Sequence, residues 1–287
     1  MPEFLQLTPP EPALRRLLDH ITLQPKAERV GLEHALGRVA AEPVIAADAL
    51  PPFSRSTVDG YAVRAADTYG ASESLPAYLD LSGEVLMGAL ADLPLPPGSA
   101  VLIHTGGMLP EYADAVVMLE YTQLAAGMVE VLRPVAVGEN LIQAGEDVQP
   151  GAQVIPAGRR LRSQELGGLA ALGITQVLVA GKPLVGILSS GDEVVPPEAA
   201  PAPGQVRDAN SYSLSALIQD AGGEAKRYGI FPDSLDPLLA AAQKALQECD
   251  IVVFTAGSSA SARDLTAQVI NRLGSPGVLV HGVGVRP

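Results

Sequence analysis

Cysteine occurs once in these 287 residues, at Cys249, so no intrachain disulfide can form. Its place before the apolar run Ile251 to Phe254 predicts a buried thiol. Cationic residues are also scarce. Nineteen Lys plus Arg against 32 Asp plus Glu leave a formal charge of -13, which excludes a protein that relies on phosphate-backbone contacts with nucleic acid. No window approaches the roughly 18 apolar residues of a membrane span. The first residues, MPEFLQLTPPEPALRRLL, lack a cationic start followed by an apolar stretch. A cytoplasmic location without membrane attachment is the expectation. Missing too are a Walker loop with its Lys, a GxGxxG after a strand, Cys/His metal spacing and a GxSxG elbow. P-loop hydrolysis, hydride transfer and zinc chemistry lose support accordingly. Of the four histidines, His20, His34 and His281 lie in or beside ordinary elements and read as surface or packing residues. His104 adjoins a TGG turn and is slightly more suggestive.

What is present is a globular composition. Hydrophobic residues reach 47% and charged residues 18%, with 29 Gly and 25 Pro spread along the chain, implying packed cores interrupted by many turns. The length exceeds that of one ordinary core and predicts two or more domains. Leu14, Leu17, Leu18 and Ile21 follow helical spacing after a Pro-rich start. Leu32, Ala35 and Leu36 begin a second short helix that ends near Gly37. Val39 to Ala47 reads as extended, and Tyr61 to Val63 as a strand. From Leu75 to Val137 the runs LDLSGEVL, AVLIHTGG, AVVMLEY and MVEVLRPV are separated by Gly, Pro and Asp, which predicts a mainly β domain. Ser163 to Leu172 reads as a helix capped by Ser163 and stopped by Gly173, followed by a strand from Thr175 to Val179.

The last third alternates. A strand at 184–190 precedes a helix capped by Asn210 with Leu214, Leu217 and Ile218 on one face. A strand at 225–231, a helix at 234–247, a strand at 251–255 and a helix from about Arg263 to Leu273 follow. Such alternation implies right-handed crossovers and a parallel sheet, whose ligands bind beyond the carboxyl ends of the strands. The first strand ends in SSGDE, with Ser190, Gly191, Asp192 and Glu193; the second runs into FPDS, with Asp233. The third ends in TAGSSASARD, with Gly257, Ser258, Ser259, Ser261 and Asp264. A Gly/Ser loop entering a helix brings backbone N–H groups close to an anion, with the positive end of the helix dipole behind them. Carboxylates beside a phosphate repel it unless a cation bridges them, and Mg²⁺ takes one or two carboxylates together with phosphate oxygens. Turn formation and helix capping explain the same residues about equally well.

Six segments, in order, resemble the molybdopterin molybdenumtransferases, a family that includes bacterial MoeA proteins and the E domain of gephyrin. PPFSRSTVDGYAVRAADT resembles the family's Pro/Ser and DGYA segment, HTGG its TGA/TGG turn, and AGEDVQPG its GEDV segment. ILSSGDEVV resembles STGDEL. GQVRDANSYSLSALIQDAGGEAKRYGIFPD resembles the stretch from the GQI and SN pair to the aspartate loop, and HGVGVRP resembles HKVAMKP.

The resemblance implies an α/β multidomain fold, with a β-rich insertion domain and a parallel-sheet, three-layer α/β molybdopterin-binding domain. Its expected divisions are an N-terminal helical arm (1–25), a discontinuous small linking domain (26–48 and 140–181), the β-rich insertion (49–139) and the α/β domain (182–287). Family members continue past the position of Pro287, so the α/β domain is expected to be incomplete and a C-terminal β domain absent. The implied activity is insertion of molybdate into adenylyl-molybdopterin with release of AMP, aided by Mg²⁺, in a homodimer whose second subunit completes the cleft. Functional positions of the family fall on Asp59, Thr105, Asp147, Glu193, Asp233 and Asp264. Ser190, Gly191 and Asp192 would bind the substrate, and the loop carrying Gly257, Ser258, Ser259 and Ser261 would receive the phosphate end of the pterin. Glu193, Asp233 and Asp264 would hold Mg²⁺, and Arg286 would neutralise phosphate or molybdate charge. Two departures are visible: TAGSSASARD stands in place of SGGVSVGxxD, and Gly282 and Arg286 stand where lysines are frequent. Two other readings stay open, a molybdopterin-binding or scaffold protein without turnover, and a molybdopterin adenylyltransferase. The latter shares the α/β domain but normally lacks the segments before residue 182.

Overall fold

A computed structural model describes residues 7–21, 25–255 and 265–285. The chain forms two units, Val30–Val177 and the combination of Met1–Arg29 with Leu178–Pro287. Helix α1 (Pro10–Leu18) comes first, and strand β1 (Ala27–Gly31) and the later β12 (Gln176–Ala180) carry the chain from one unit to the other. The helix expected at Leu32 is a single 3-10 turn, Leu32–His34.

In the Val30–Val177 unit, β2 (Val44–Ile45) pairs antiparallel with β11 (Gln153–Ile155), and β3 (Arg55–Ser56) with β10 (Leu141–Ile142). Its main sheet has six strands: β4 (Gly60–Val63), β5 (Ala77–Glu84), β6 (Ser99–Ile103), β7 (Ala115–Met118), β8 (Thr122–Ala125) and β9 (Met128–Val131). Their order is β7-β4-β6-β5-β9-β8, and all pairings are antiparallel except β5 with β6. Strand geometry sends successive side chains to opposite faces, and both faces are packed. Tyr61, Val63, Leu79, Ala115, Val117, Val129 and Val131 build one core. Ala62, Val101, Ile103 and Val116 build the other with Val85, Leu95 and Leu109. That double burial explains why these strands read as nearly unbroken apolar runs. The β8–β9 hairpin closes on Ala126 and Gly127, at φ 53 and 82, the pair of positive φ values that matches the right-handed twist of its strands.

Helix α2 (Ser163–Ala171) corrects one expectation. Ser163 is its first residue rather than its cap, and the Ser163 hydroxyl donates to Gln164 Oε1 at 3.1 Å. Arg162 holds the capping position, and its backbone N–H donates to Glu165 Oε2 at 2.9 Å. The Arg162 guanidinium also reaches Glu165 Oε1 at 2.6 Å, forming an ion pair that a serine cannot match. This guanidinium, first among the causes, holds the Glu165 carboxyl at about 2, below its ordinary 4.5. A depressed carboxyl contributes stability above its unfolded value and loses it as pH falls through the folded one. Arg162→Ala is therefore expected to melt below the parent at neutral pH, with the gap closing between pH 4.5 and about 2. Thermal unfolding across that range checks it; an unchanged gap at the acid end would contradict the assignment.

The other unit is α/β. Strands β13 (Leu184–Ser190), β16 (Glu224–Phe231) and β17 (Ile251–Thr255) form a parallel sheet with β13 in the centre. The turn after β13 carries a short parallel pair, β14 (Val194–Val195) and β15 (Val206–Arg207). Helices α3 (Asn210–Asp220), α4 (Leu235–Glu248) and α5 (Leu265–Leu273) intervene or follow. On α4, Leu238, Ala241, Ala242 and Ala245 recur at helical spacing and pack against Leu188 and Val269. The fold is thus α/β multidomain, as the alternation predicts, with a β-rich unit beside the parallel one in sequence.

The helix expected from Leu14, Leu17 and Leu18 is α1; those leucines are exposed and Ala13 is its buried residue. Two further expectations change in this unit. Asn210 begins α3 but does not cap it; the Asp208 carboxylate accepts from the Ser211 N–H at 3.1 Å. Cys249 is half-buried, its sulfur 3.4 Å from the Tyr228 hydroxyl.

Candidate functional site

Strand β13 is buried along most of its length and delivers Ser189 and Ser190 to its carboxyl end. Gly191 follows at φ +146, and its N–H donates to the Phe231 carbonyl at 3.2 Å. A Cβ at this position would lie 2.7 Å from Val194 Cγ2 and 2.8 Å from Glu193 Oε2, so glycine is what allows the Glu193 carboxylate to fold back over the turn. Asp192 Oδ1 accepts from the Asp233 N–H at 3.2 Å, joining the ends of β13 and β16. The Val206 N–H donates to the Glu193 carbonyl at 2.8 Å, and the Asp208 N–H to Val195 at 2.9 Å, fixing the turn from its far side. Ser190, Gly191, Asp192, Glu193 and Asp233 therefore gather where an open parallel sheet receives ligands. Gly257, Ser258, Ser259, Ser261, Asp264 and Arg286 lie outside the described residues.

Asp208 supports this turn and was not anticipated. It is buried, with Oδ2 accepting from the Ser189 hydroxyl at 2.8 Å and Oδ1 from the Ser211 N–H. Burial pushes its carboxyl up, but the Ser211 and Ser189 hydrogen bonds and the charge of Arg227 outweigh burial and hold it below the ordinary value. The sequence signal was an acid three residues before Ser211, the spacing of a helix N-cap.

A second cluster belongs to the Val30–Val177 unit. Register pairs Gly60 with Ile103, so Asp59 before β4 and His104 and Thr105 after β6 meet at one end of the sheet. Asp59 Oδ1 accepts from the Thr105 N–H at 2.9 Å and from its hydroxyl at 3.2 Å. The Thr105 N–H, aided by its hydroxyl and by His104, holds the Asp59 carboxyl below its ordinary value despite an opposing desolvation effect. His104 Nδ1 lies 3.7 Å from Asp59 Oδ1, and Nε2 lies 2.8 Å from Glu84 Oε1. Glu84, the last residue of β5, gave no local signal, because it lies 20 residues from His104. Asp147 sits apart from this pair. Its N–H donates to Leu50 at 3.0 Å, and the residue lines a cleft of about 540 Å³ with Leu50, Ile155, Gln164, Glu165 and Leu169.

Among the described residues no three acids, histidines or cysteines converge into a metal cage. Asp192, Glu193 and Asp233, at neighbouring strand ends, carry only oxygen donors. That suits Mg²⁺, which keeps waters and phosphate oxygens in its shell and needs only one or two carboxylates.

Residues 8–173 match the MoeA N-terminal region (domain I and II), and residues 186–287 match a probable molybdopterin binding domain. The molybdopterin molybdenumtransferase of Bacillus subtilis is 35% identical over 283 residues, covering 97% of this chain and 65% of the relative. That of a Nostoc species is 34% identical over 271 residues, covering 94% and 62%. The chain thus spans just under two thirds of the length of these two relatives. A crystal structure of the molybdopterin biosynthesis MoeA protein from Pyrococcus horikoshii superposes with a TM-score of 0.83 at 38% identity, over 98% of this chain and 70% of that one. From the two domain matches, the relatives and the shared fold, the chain belongs to the MoeA family of molybdenum cofactor biosynthesis.

Proposed function

We propose that this chain performs the transfer for which its relatives are named, inserting molybdate into adenylyl-molybdopterin, with cleavage of the phosphoanhydride and release of AMP. The observation that carries this reading is the oxygen-rich turn at the ends of β13 and β16, inside the segment matching a molybdopterin-binding domain. Glu193, Asp233 and Asp264 would hold Mg²⁺, which when bound would neutralise phosphate charge and orient the reacting oxygens. Ser190, Gly191 and Asp192 would line the ligand, with Gly257, Ser258, Ser259 and Ser261 receiving its phosphate end and Arg286 countering anionic charge. Asp59 and Thr105 would act as one hydrogen-bonded pair, and Asp147 would complete the set. A carboxylate held ionised by Thr105 suits orienting a donor or a cation rather than supplying a proton.

The chain would act as a cytoplasmic homodimer on small-molecule ligands rather than nucleic acid, with the domain division 1–25, 26–48 with 140–181, 49–139 and 182–287. No helix among the described residues is long and apolar enough to cross a membrane. The adenylyltransferase reading loses ground because residues 8–173 match the MoeA N-terminal region. Chelation supplies the test. Purified protein given adenylyl-molybdopterin and molybdate should release AMP, stop when Mg²⁺ is chelated and resume on its return. AMP release untouched by chelation would remove Mg²⁺ from the account, and tight pterin retention without AMP under all conditions would make the chain a binding protein.

A further inference from the structure

We propose that His104 is a positioning residue for Asp59, standing between it and Glu84 and setting, through its own protonation, how much negative charge the cluster presents to a phosphorylated ligand. This deepens the functional reading above and rests on its placing of Asp59 in the ligand site.

The three residues stand in a row fixed by the backbone. Strands β4, β6 and β5 are neighbours, with Leu102 of β6 paired to Tyr61 on one side and to Glu84 on the other. Asp59, His104 and Glu84 follow at that end of the sheet. An ionised carboxylate only accepts hydrogen bonds. The 2.8 Å approach of Nε2 to Glu84 Oε1 therefore places the proton of the neutral ring on Nε2. Nδ1 then carries its lone pair on the side of Asp59 Oδ1, 3.7 Å away. A second proton can go only to Nδ1. There it turns an acceptor into a donor beside an oxygen that already takes both Thr105 bonds.

Charge follows the proton. With the ring neutral the row carries two negative charges, and with the ring protonated it carries one. Among the described residues, the charged side chains within ion-pair distance of the ring are Asp59 and Glu84. The Thr105 N–H holds Asp59 in its ionised form. One unit of charge beside a bound phosphate, at the dielectric of a wet surface, changes its affinity about three- to tenfold.

His104→Gln separates positioning from mere packing, because the amide keeps an N–H donor for Glu84 but cannot take a second proton. The readout is the Thr105 amide proton and the Asp59 carboxylate carbon in NMR spectra recorded from about pH 5 to 8. In the parent chain both signals should follow the His104 ring; in His104→Gln that step should vanish. An unchanged step in the variant, or a titrating ring that moves neither signal, overturns the proposal. Binding of adenylyl-molybdopterin is the second readout. It should tighten about three- to tenfold toward the acid end in the parent and stay flat in His104→Gln. Equal pH dependence in both chains would overturn the charge role. If the parent binds no pterin at any pH, the functional reading fails instead, and the Thr105 signal alone decides whether His104 positions Asp59.

Discussion

Gly60→Ala is expected to lower the thermal midpoint by about 6–12 °C, the shift that about 3 kcal/mol produces in a chain of this size. The reason is close approach of backbone. A Cβ on Gly60 would lie 2.0 Å from the Val117 carbonyl oxygen and 2.9 Å from its carbon. Neither atom can swing away as a side chain can. Strand β4 would have to retreat from β7, and it serves both cores at once, through Tyr61 and Val63 on one face and Ala62 on the other. Retreat would also move Asp59, the preceding residue, away from the Thr105 N–H, so ligand binding should weaken with stability. Gly167→Ala in α2 is the fitting control, because a Cβ there meets nothing within 4 Å. Differential scanning calorimetry decides the matter; a Gly60→Ala chain that melts with the parent would mean that β4 and β7 are not paired as described.

Glu193→Gln should cut molybdate-dependent AMP release about 10²- to 10³-fold while leaving the melting temperature nearly unchanged. The side chain is exposed, and the contact that ties residue 193 to the sheet is its backbone carbonyl, which accepts from the Val206 N–H. An amide of the same shape keeps that bond but loses the charge required for holding a cation against phosphate. A Glu193→Gln chain with parental AMP release would remove this residue from the site. Joint loss of activity and stability would instead point to a structural role for the carboxylate as it folds over Gly191.

Much of this was legible in the chain. Alternating strands and helices from Leu184 onward, and short β runs between Leu75 and Val137, emerge as expected because their periodicity coincides with real packing on both faces of each sheet. Gly191 and Asp192 could be placed at a strand end for the same reason. The capping positions lie one residue earlier than Ser163 and Asn210, at Arg162 and Ala209. Capping depends on which carboxylate reaches the free N–H groups, and Glu165 and Asp208 accept from them while held by partners, Arg162 and Ser189, that local spacing does not reveal. The Asp59–Thr105 and His104–Glu84 contacts are a matter of strand register across 46 and 20 residues, which no local pattern encodes. The leucine stripe of α1 has helical spacing without burial, since amphipathicity records a preference for cover and not the presence of it. Cys249 reads as core but is only half-buried, packed at the chain's turn between α4 and β17 beside Tyr228.

In the proposed reaction anhydride cleavage is coupled to metal insertion. The most direct measurement is AMP released from adenylyl-molybdopterin by the purified chain in Mg²⁺, with molybdate present and withheld. AMP should appear with molybdate and remain at background without it; equal AMP in both, or none in either while the pterin stays bound, would contradict the transferase assignment.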